Sequence, residues 1–513
     1  MVRSLLLALG ASLATGPHLV AAVGSGDAEA MYNSFNNAFL VRSGNDVYYK
    51  AALNDGNPDK TWTASLDIMG AQDAYERTGD PSKKQLVDQL LTTWLKKTPP
   101  PWDWDGWNDD IGWFTMALAR GYLMTGNAEF LKQARYGFDY AFGRGWDTQY
   151  NNGGIWEENP EYCARYNPPK VPAKEALSNN SLGKVACLLY QATGEQGYRD
   201  KCRQIYDWVW DHIYNPSTGQ IYNTIHMDGS LNTDKQAYNQ GTWLDYANLL
   251  WSVTLDKNIY RDAKKAIDFA RDQITVNGIF SNGNEGLNTW ADEVARGAGH
   301  FVRDNGLWDE YWGWLVQNAD AIVANRDPTY GLTWNAWDKK TSTATKPIAN
   351  KFVSAMAWMQ YAPAAKPGVV GGVVGGIHTI TNQKTGLLVD NSGRFADDTK
   401  MMQWGKGGDD NLNQHWLFTQ NSADGSWNIV SLQSWKALDC PRSGKDNGLQ
   451  MVQWRPTRDG NQRWFVDRLD DGSYRIWNKD SSASLDGASN STNGAPLMQW
   501  EWNGGAQQRW ILG

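Results

Sequence analysis

Asn108-Asp109-Asp110-Ile111-Gly112-Trp113-Phe114-Thr115-Met116-Ala117-Leu118-Ala119-Arg120-Gly121-Tyr122-Leu123-Met124-Thr125-Gly126 holds the pattern on which the fold turns. Ile111, Phe114, Leu118 and Tyr122 recur at spacings of three and four, which places them on one face of a helix. Thr125-Gly126 ends it with a residue suited to the left-handed conformation at which helices stop. The unit returns along the chain: Leu86, Leu90 and Trp94 repeat the spacing, as do Tyr206, Trp210 and Ile213, and Thr78-Gly79 and Thr193-Gly194 repeat the stop. Each Thr-Gly is followed shortly by another apolar helical stretch, so the pattern predicts helical hairpins. Residues 27–362 hold about a dozen such helices, far above the ordinary helical share. A dozen amphipathic helices in hairpins close into an inner and an outer ring, an all-α (α/α)6 barrel. The open superhelix, the alternative, would call for a fixed repeat period that is not found.

The chain has 513 residues, 41% hydrophobic and 20% charged, too long for one ordinary core and too apolar for disorder. Its 48 Lys and Arg against 56 Asp and Glu give a net charge of −8, which argues against nucleic acid or an anionic membrane surface as partner. Trp and Tyr are abundant, 29 and 22, against 13 Phe. A flat apolar face with a polar tip suits stacking on a sugar ring, and equally suits packing between large helices. Arg3, the apolar Leu5 to Leu9 and the small Val20-Ala21-Ala22 read as a secretory leader over 1–22, interrupted at Gly16-Pro17-His18. With no hydrophobic tail at Trp510-Ile511-Leu512-Gly513, the expectation is an exported, unanchored protein. The four cysteines and six histidines lack metal-ligand spacing, so no zinc site is expected. Cys187 and Cys202 are a possible disulfide. Asn179-Asn180-Ser181 and Asn490-Ser491-Thr492 match the glycosylation pattern.

Pro363 to Gly376 is too rich in Gly and Pro for helix or sheet and reads as a linker, 363–376, between a barrel over 23–362 and a second domain over 377–513. Beyond it short apolar runs alternate with Gly, Asn, Asp and Ser, as strands and turns do. Three units repeat. Leu388-Val389-Asp390, Ala437-Leu438-Asp439 and Ser484-Leu485-Asp486 begin them, Gln403-Trp404, Gln453-Trp454 and Gln499-Trp500 follow, and Gln414-His415-Trp416, Gln462-Arg463-Trp464 and Gln508-Arg509-Trp510 close them. Three β-rich units imply threefold pseudosymmetry, and their order and spacing resemble the ricin-type lectin β-trefoil. A carboxylate, an aromatic ring and an amide are what a hexose requires: acceptors for vicinal hydroxyls, a stacking face and completing hydrogen bonds. By this resemblance Asp390, Trp404, Asn413 and Gln414 form a first sugar pocket and Asp439, Trp454, Asn461 and Gln462 a second. Asp486, Trp500 and Gln508 form a third, with Gln507 where the family has Asn. Trp416, Trp464 and Trp510 are expected in the core.

The start of the quoted helix carries the chemistry. Pro99 to Trp113 crowds four Trp and four Asp together. Asn108 or Asp109 would be ordinary helix caps. Adjacent carboxyls beside indoles also repel and are poorly solvated, which separates their proton affinities. Glycoside hydrolysis uses such a split, and consecutive residues can hold carboxyls at the ~5–5.5 Å of a retaining pair. No nucleophile elbow, P-loop or dinucleotide fingerprint competes.

Asn108-Asp109-Asp110-Ile111-Gly112-Trp113, Gly153-Gly154-Ile155-Trp156, Lys174-Glu175-Ala176-Leu177-Ser178-Asn179 and Tyr238-Asn239-Gln240-Gly241 stand in the order seen in glycoside hydrolase family 76, which residues 28–360 resemble. The resemblance implies a retaining endo-α-1,6-mannanase with Asp109 as nucleophile and Asp110 as acid/base. Trp113, Trp156, Asn179, Tyr238, Asn239 and Gln240 become candidate cleft residues. The chain departs from the family at Glu157-Glu158, where a second Trp is usual, and at Gly297-Ala298-Gly299-His300. The expected partner is α-mannan, bound by a monomer that needs no metal or organic cofactor. Transfer to a sugar hydroxyl, or a mannan-binding lectin without activity, are the alternatives.

Overall fold

In the computed structural model residues 23–280, 290–342, 348–421 and 424–513 are described; the expected leader lies outside them. Among the described residues twelve long helices build the barrel. The odd-numbered, outer helices are α1 (Asp27–Phe39), α3 (Pro81–Lys97), α5 (Ala128–Gly145), α7 (Gln196–His212), α9 (Lys257–Phe269) and α11 (Trp308–Ala324). The even-numbered, inner helices are α2 (Thr61–Thr78), α4 (Asn108–Thr125), α6 (Ala176–Thr193), α8 (Ala237–Thr254), α10 (Asp292–Asp304) and α12 (Val353–Tyr361). Each inner helix packs on the next, and α12 returns to α2, so the ring closes. Burial sets the two rings apart. Every residue of α6 from Ala176 to Gln191 is buried, whereas α7 buries one stripe that includes Tyr198, Cys202, Ile205 and Val209. Cys187 on α6 and Cys202 on α7 form the disulfide considered from the sequence. No helix is long and apolar enough to cross a membrane among the described residues.

Gly79, Gly126 and Gly194 adopt the left-handed conformation after α2, α4 and α6, as the Thr-Gly pattern predicts. The inner helices run parallel and leave the barrel axis to be filled. Ion pairs from five of them fill it, joined by a hydrogen bond from the sixth. Asp73 on α2 meets Arg120 on α4 at 2.8 Å and Arg296 on α10 at 2.9 Å. Lys184 on α6 meets Asp245 on α8 at 2.6 Å and Glu293 on α10 at 3.0 Å. Tyr361 on α12 donates to Asp73 at 2.9 Å. His300 lies 2.7 Å from Asp245 and 2.9 Å from Glu76; burial opposes its charge, yet these two carboxylates raise it to about 9. Where α8 and α10 approach, Gly241 is required, because a Cβ there would come within 2.3 Å of the Glu293 carbonyl carbon.

The first domain is not purely helical. A three-stranded antiparallel sheet, β1 (Leu40–Ser43), β2 (Asp46–Ala52) and β3 (Asp55–Pro58), follows α1. A second, β4 (Ala173–Glu175), β5 (Thr224–His226) and β6 (Leu231–Asn232), lies beside the start of α6.

The second domain is all β. Leu388–Asp390, Ala437–Asp439 and Ser484–Asp486 pair antiparallel with Met402–Trp404, Val452–Trp454 and Met498–Trp500. Trp416, Trp464 and Trp510 are fully buried, and their indole N–H groups donate to Val389, Leu438 and Leu485 carbonyls, one per repeat. This domain sits on the barrel end where α2, α4 and α6 finish: Gly79 packs on Arg458, Gly126 on Arg455 and Gly194 on Phe395. Arg458 donates to the Glu76 carbonyl, and Phe395 meets the Tyr190 ring at 6.1 Å. The linker binds both partners, accepting from Trp312 at Pro363 and from Tyr474 at Gly372. The starts of α2, α4 and α6 therefore point away from the trefoil.

Candidate active site

Asp109 and Asp110 occupy the first turn of α4, at the end away from the trefoil. Neither Asn108 nor Asp109 caps the helix. Trp107 is the N-cap and makes no side-chain cap bond, and Asp105 accepts from the Trp107 N–H at 3.0 Å. Asn108 has another task. Its amide donates to the Trp156 carbonyl at 2.9 Å and to Asn159 at 2.8 Å, its oxygen accepts from Arg144 at 2.7 Å, and its backbone N–H donates to the Glu157 carbonyl. The helix start is thereby sewn to the Trp156-Glu157 segment, which fixes where the next two carboxyls can point.

Asp109 is 8% exposed, and its Oδ1 is buried without a hydrogen-bond partner. Burial first, then the Glu157 and Asp105 carboxyls, raise its proton affinity, while backbone amides of the first helical turn act the other way. Asp110, half-buried, is raised by burial, by Asp109 and by Asp105, with no donor to oppose them. The two cannot both ionise cheaply. The amides favour the charge on Asp109 and leave the proton with Asp110, the division needed for a nucleophile beside an acid.

The surrounding residues separate into those that face this space and those that build it. Tyr238, at the start of α8, is half-buried, and Glu175, Asp109 and Glu157 all act on its hydroxyl. Its ring lies 5.8 Å from Trp290, which lies 4.8 Å from Trp62. Trp62 and Trp290 were missed in the sequence, where neither stands in a recognisable motif. Trp156 is 4% exposed, with the Lys174 ammonium 4.7 Å from its ring. That lysine also donates to the Asp147, Tyr150 and Gly153 carbonyls and so shapes the Gly153-Gly154 loop.

Three candidates prove internal. Trp113 is 3% exposed within the core. Asn179 is fully buried, accepting from Ile155 N–H and donating to the Ile155 and Glu175 carbonyls. Gln240 accepts from Ile221 N–H and donates to the Gly219 and Ala266 carbonyls. The polar groups of Asn179 and Gln240 are spent on backbone, so these two residues build the wall and offer nothing to a ligand. Burial of Asn179 also removes its glycosylation site. Asn239 is fully buried too; its amide donates to Asn223 at 2.7 Å, but its Oδ1 has no partner. No cluster suited to a metal ion occurs among the described residues.

In the trefoil Trp404, Trp454 and Trp500 are 44%, 37% and 39% exposed, free to stack on a ligand. Asp390, Asp439 and Asp486 are buried at the pocket floors. Gln414 donates to Asp390 at 3.0 Å, and Asn461 and Gln462 donate to Asp439 at 3.0 and 2.8 Å. Burial outweighs those donors and raises Asp439 to about 6. In the third repeat the amides turn elsewhere, Gln507 donating to Asn503 at 3.3 Å and Gln508 to the Glu501 carbonyl at 2.9 Å, while Asp486 accepts from the Ala488 N–H at 2.7 Å. Asn413 makes no such bond and lies beside Gly393.

Comparison with known proteins agrees with both halves. Residues 30–366 match glycosyl hydrolase family 76, and residues 412–500 match the ricin-type β-trefoil lectin domain-like family. A mannan endo-1,6-alpha-mannosidase, DCW1, of Candida glabrata is 27% identical over 120 residues, which cover 21% of this chain and 24% of that protein. Among solved structures, an inactive variant of the alpha-1,6-mannanase GH76A of Salegentibacter sp. HEL1_6, with two adjacent aspartates replaced and alpha-1,6-mannotetrose bound, is similar at TM-score 0.58 and 21% identity, over 66% of this chain and 98% of that one. The Lin0763 protein of Listeria innocua is similar at TM-score 0.57 and 19% identity, over 66% and 96%. By its matched barrel this chain belongs to glycosyl hydrolase family 76, with a ricin-type β-trefoil lectin-like domain joined behind it.

Proposed function

We propose that the protein is an exported, retaining endo-glycosidase that cleaves α-1,6-mannosidic bonds of mannan. The observation that carries this reading is the Asp109-Asp110 pair, two adjacent acids of raised proton affinity in one helical turn, only one of them supported by backbone amides. The replaced aspartates and bound mannotetrose of the Salegentibacter relative support the same chemistry. Asp109 attacks the anomeric carbon and forms a glycosyl-enzyme while Asp110 protonates the leaving oxygen. Asp110 then takes a proton from water, which releases the sugar with its configuration retained.

The trefoil holds polysaccharide at a distance. α4, 18 residues and about 27 Å long, carries the acids in its first turn and meets the trefoil just past its last. The lectin pockets therefore do not extend the cleft. They hold other stretches of the glycan and raise local substrate concentration. Asp109→Asn and Asp110→Asn are each expected to abolish release of reducing ends from linear α-1,6-mannan while leaving the circular dichroism spectrum unchanged. Wild-type turnover in both variants would end the mechanism.

A further inference from the structure

A cavity with no part in the reaction just described opens at the same end of the barrel. It measures about 790 Å³ and lies between the β2–β3 hairpin, the start of α2, the end of α3 and the loop that leads from α3 to the acids. That volume falls within the ~300–1,000 Å³ of small-molecule sites. Its wall is continuous with the cleft at two places. Thr61 lines the cavity, and the next residue, Trp62, belongs to the Trp62-Trp290-Tyr238 aromatic row. Trp104 lines it too, and the next residue, Asp105, is one of the carboxyls that act on Asp109 and Asp110. Neighbouring Cα atoms are ~3.8 Å apart, so little more than the width of one residue separates the two spaces there. Thr61 is β-branched yet sits at φ 51°, a strained conformation held at this junction.

The lining has the chemistry of a sugar site. Trp104 is 52% exposed, and its loop is held on both sides. Trp102, fully buried, donates its indole N–H to the Thr98 carbonyl at 3.0 Å, and Asp105 accepts from the Trp107 N–H at 3.0 Å. The Trp104 ring is therefore a fixed, wet platform of the kind on which a sugar ring stacks. Asn57, exposed on β3, donates its amide to Asp55 at 2.7 Å and leaves its own oxygen without a donor among the described residues. The Lys60 ammonium forms no ion pair among the described residues. Trp94 lines the cavity at 7% exposure, and its indole N–H is buried without a partner. An aromatic face, a carbonyl acceptor and two donors are a set that a hexose can use. The charged lining residues are Asp55, Asp59, Lys60 and Lys97, two of each sign, which suits a neutral, hydroxyl-rich ligand over an anion or an amine.

We infer that this cavity is an accessory glycan site, which takes neutral hexose units of the same glycan whose bond is cut at Asp109 and Asp110. The inference deepens the mannanase reading and rests on it. The hexoses come from the main chain beyond the cleft or from a side branch, and both sources present the same ring face and hydroxyls to Trp104 and Asn57. Contacts made away from the reacting bond then favour long or branched glycans over short linear ones.

The measurement is kcat/KM for three soluble substrates: linear α-1,6-mannotetraose, linear α-1,6-mannooctaose, and the tetraose carrying one mannosyl side branch. The parent protein is the full chain with Trp404→Ala, Trp454→Ala and Trp500→Ala, so that the trefoil takes no part. It should prefer the octaose or the branched tetraose to the plain tetraose. Trp104→Ala should lower that preference by at least about tenfold, a cost typical of truncating an aromatic anchor. A loss confined to the octaose assigns the cavity to the main chain, and one confined to the branched sugar assigns it to side branches. Asn57→Ala, on the hairpin and away from Asp105, should lower the same preference. A parent with no preference, a preference unchanged in both variants, or one lowered in Trp104→Ala alone overturns the inference. If none of the three substrates is cleaved, the mannanase reading fails, and calorimetric affinities for the same sugars decide. Weaker binding in both variants then keeps the cavity as a glycan site, whereas equal or absent binding removes it.

Discussion

Replacing Arg296 by Met tests what holds the barrel together beneath the cleft. The guanidinium is fully buried and lies 2.9 Å from Asp73, 2.8 Å from Asp292 and 2.6 Å from Glu293. Methionine fills much of the space but leaves the buried Asp73 and Glu293 carboxylates, and the Asp292 carboxyl that burial raises, without their shared cation, a loss of about 3–5 kcal/mol. At roughly 2.1 cal/mol/K per residue, about 4 kcal/mol lowers the melting temperature of a barrel this size by about 6 °C. The pH dependence separates charge from packing. Burial raises Asp73, but Arg296 and Arg120 outweigh it and hold the carboxyl below its ordinary value; Glu293 is lowered in the same way by Lys184 and Arg296. Groups lowered in the folded state stabilise it above their unfolded values and lose that effect as pH falls through the folded ones. The gap between wild type and Arg296→Met should therefore be widest near neutrality and should close in acid, below about pH 4. Urea unfolding followed by circular dichroism at several pH values measures it. Equal stability at neutral pH, or a deficit that stays constant into acid, would refute the argument that charge pairing fills the barrel axis.

Two further outcomes follow from particular contacts. Gly241→Ala places a methyl against the Glu293–Val294 peptide, so it should destabilise the barrel by about 1–3 kcal/mol in thermal or urea unfolding; wild-type stability would show that α8 and α10 separate easily. Combined replacement of Trp404, Trp454 and Trp500 by Ala should abolish retention on insoluble mannan in a pull-down assay while leaving kcat/KM for a short soluble α-1,6-mannooligosaccharide within about twofold, since remote groups with no substrate contact do not alter it. A large loss on the short substrate would mean that the trefoil reaches the cleft.

Much of this architecture is legible locally. A helix stop needs one glycine in one conformation, so Thr78-Gly79, Thr125-Gly126 and Thr193-Gly194 announce three hairpins without knowledge of partners. The trefoil is legible because its Trp416, Trp464 and Trp510 pillars occupy equivalent places in a repeat. The ionic axis is hidden, because Asp73 and Arg296 are 223 residues apart and each resembles a surface charge until the ring closes. Sheet β1–β3 was within reach: Val47 and Tyr49 alternate with less buried neighbours after a Ser43-Gly44-Asn45 turn, a strand signal submerged in a helical domain. At the active site the sequence locates the acids but not their surroundings. Asn179 and Gln240 read as ligands for a sugar, and only the fold reveals that backbone groups already claim them.

The stereochemistry of the first product tests the central claim most directly. Linear α-1,6-mannan digested in an NMR tube should yield the α anomer first, with β appearing only as mutarotation proceeds, because two displacements at one carbon restore the original configuration. An initial β product would mean a single displacement by water, and Asp109 could not be the nucleophile.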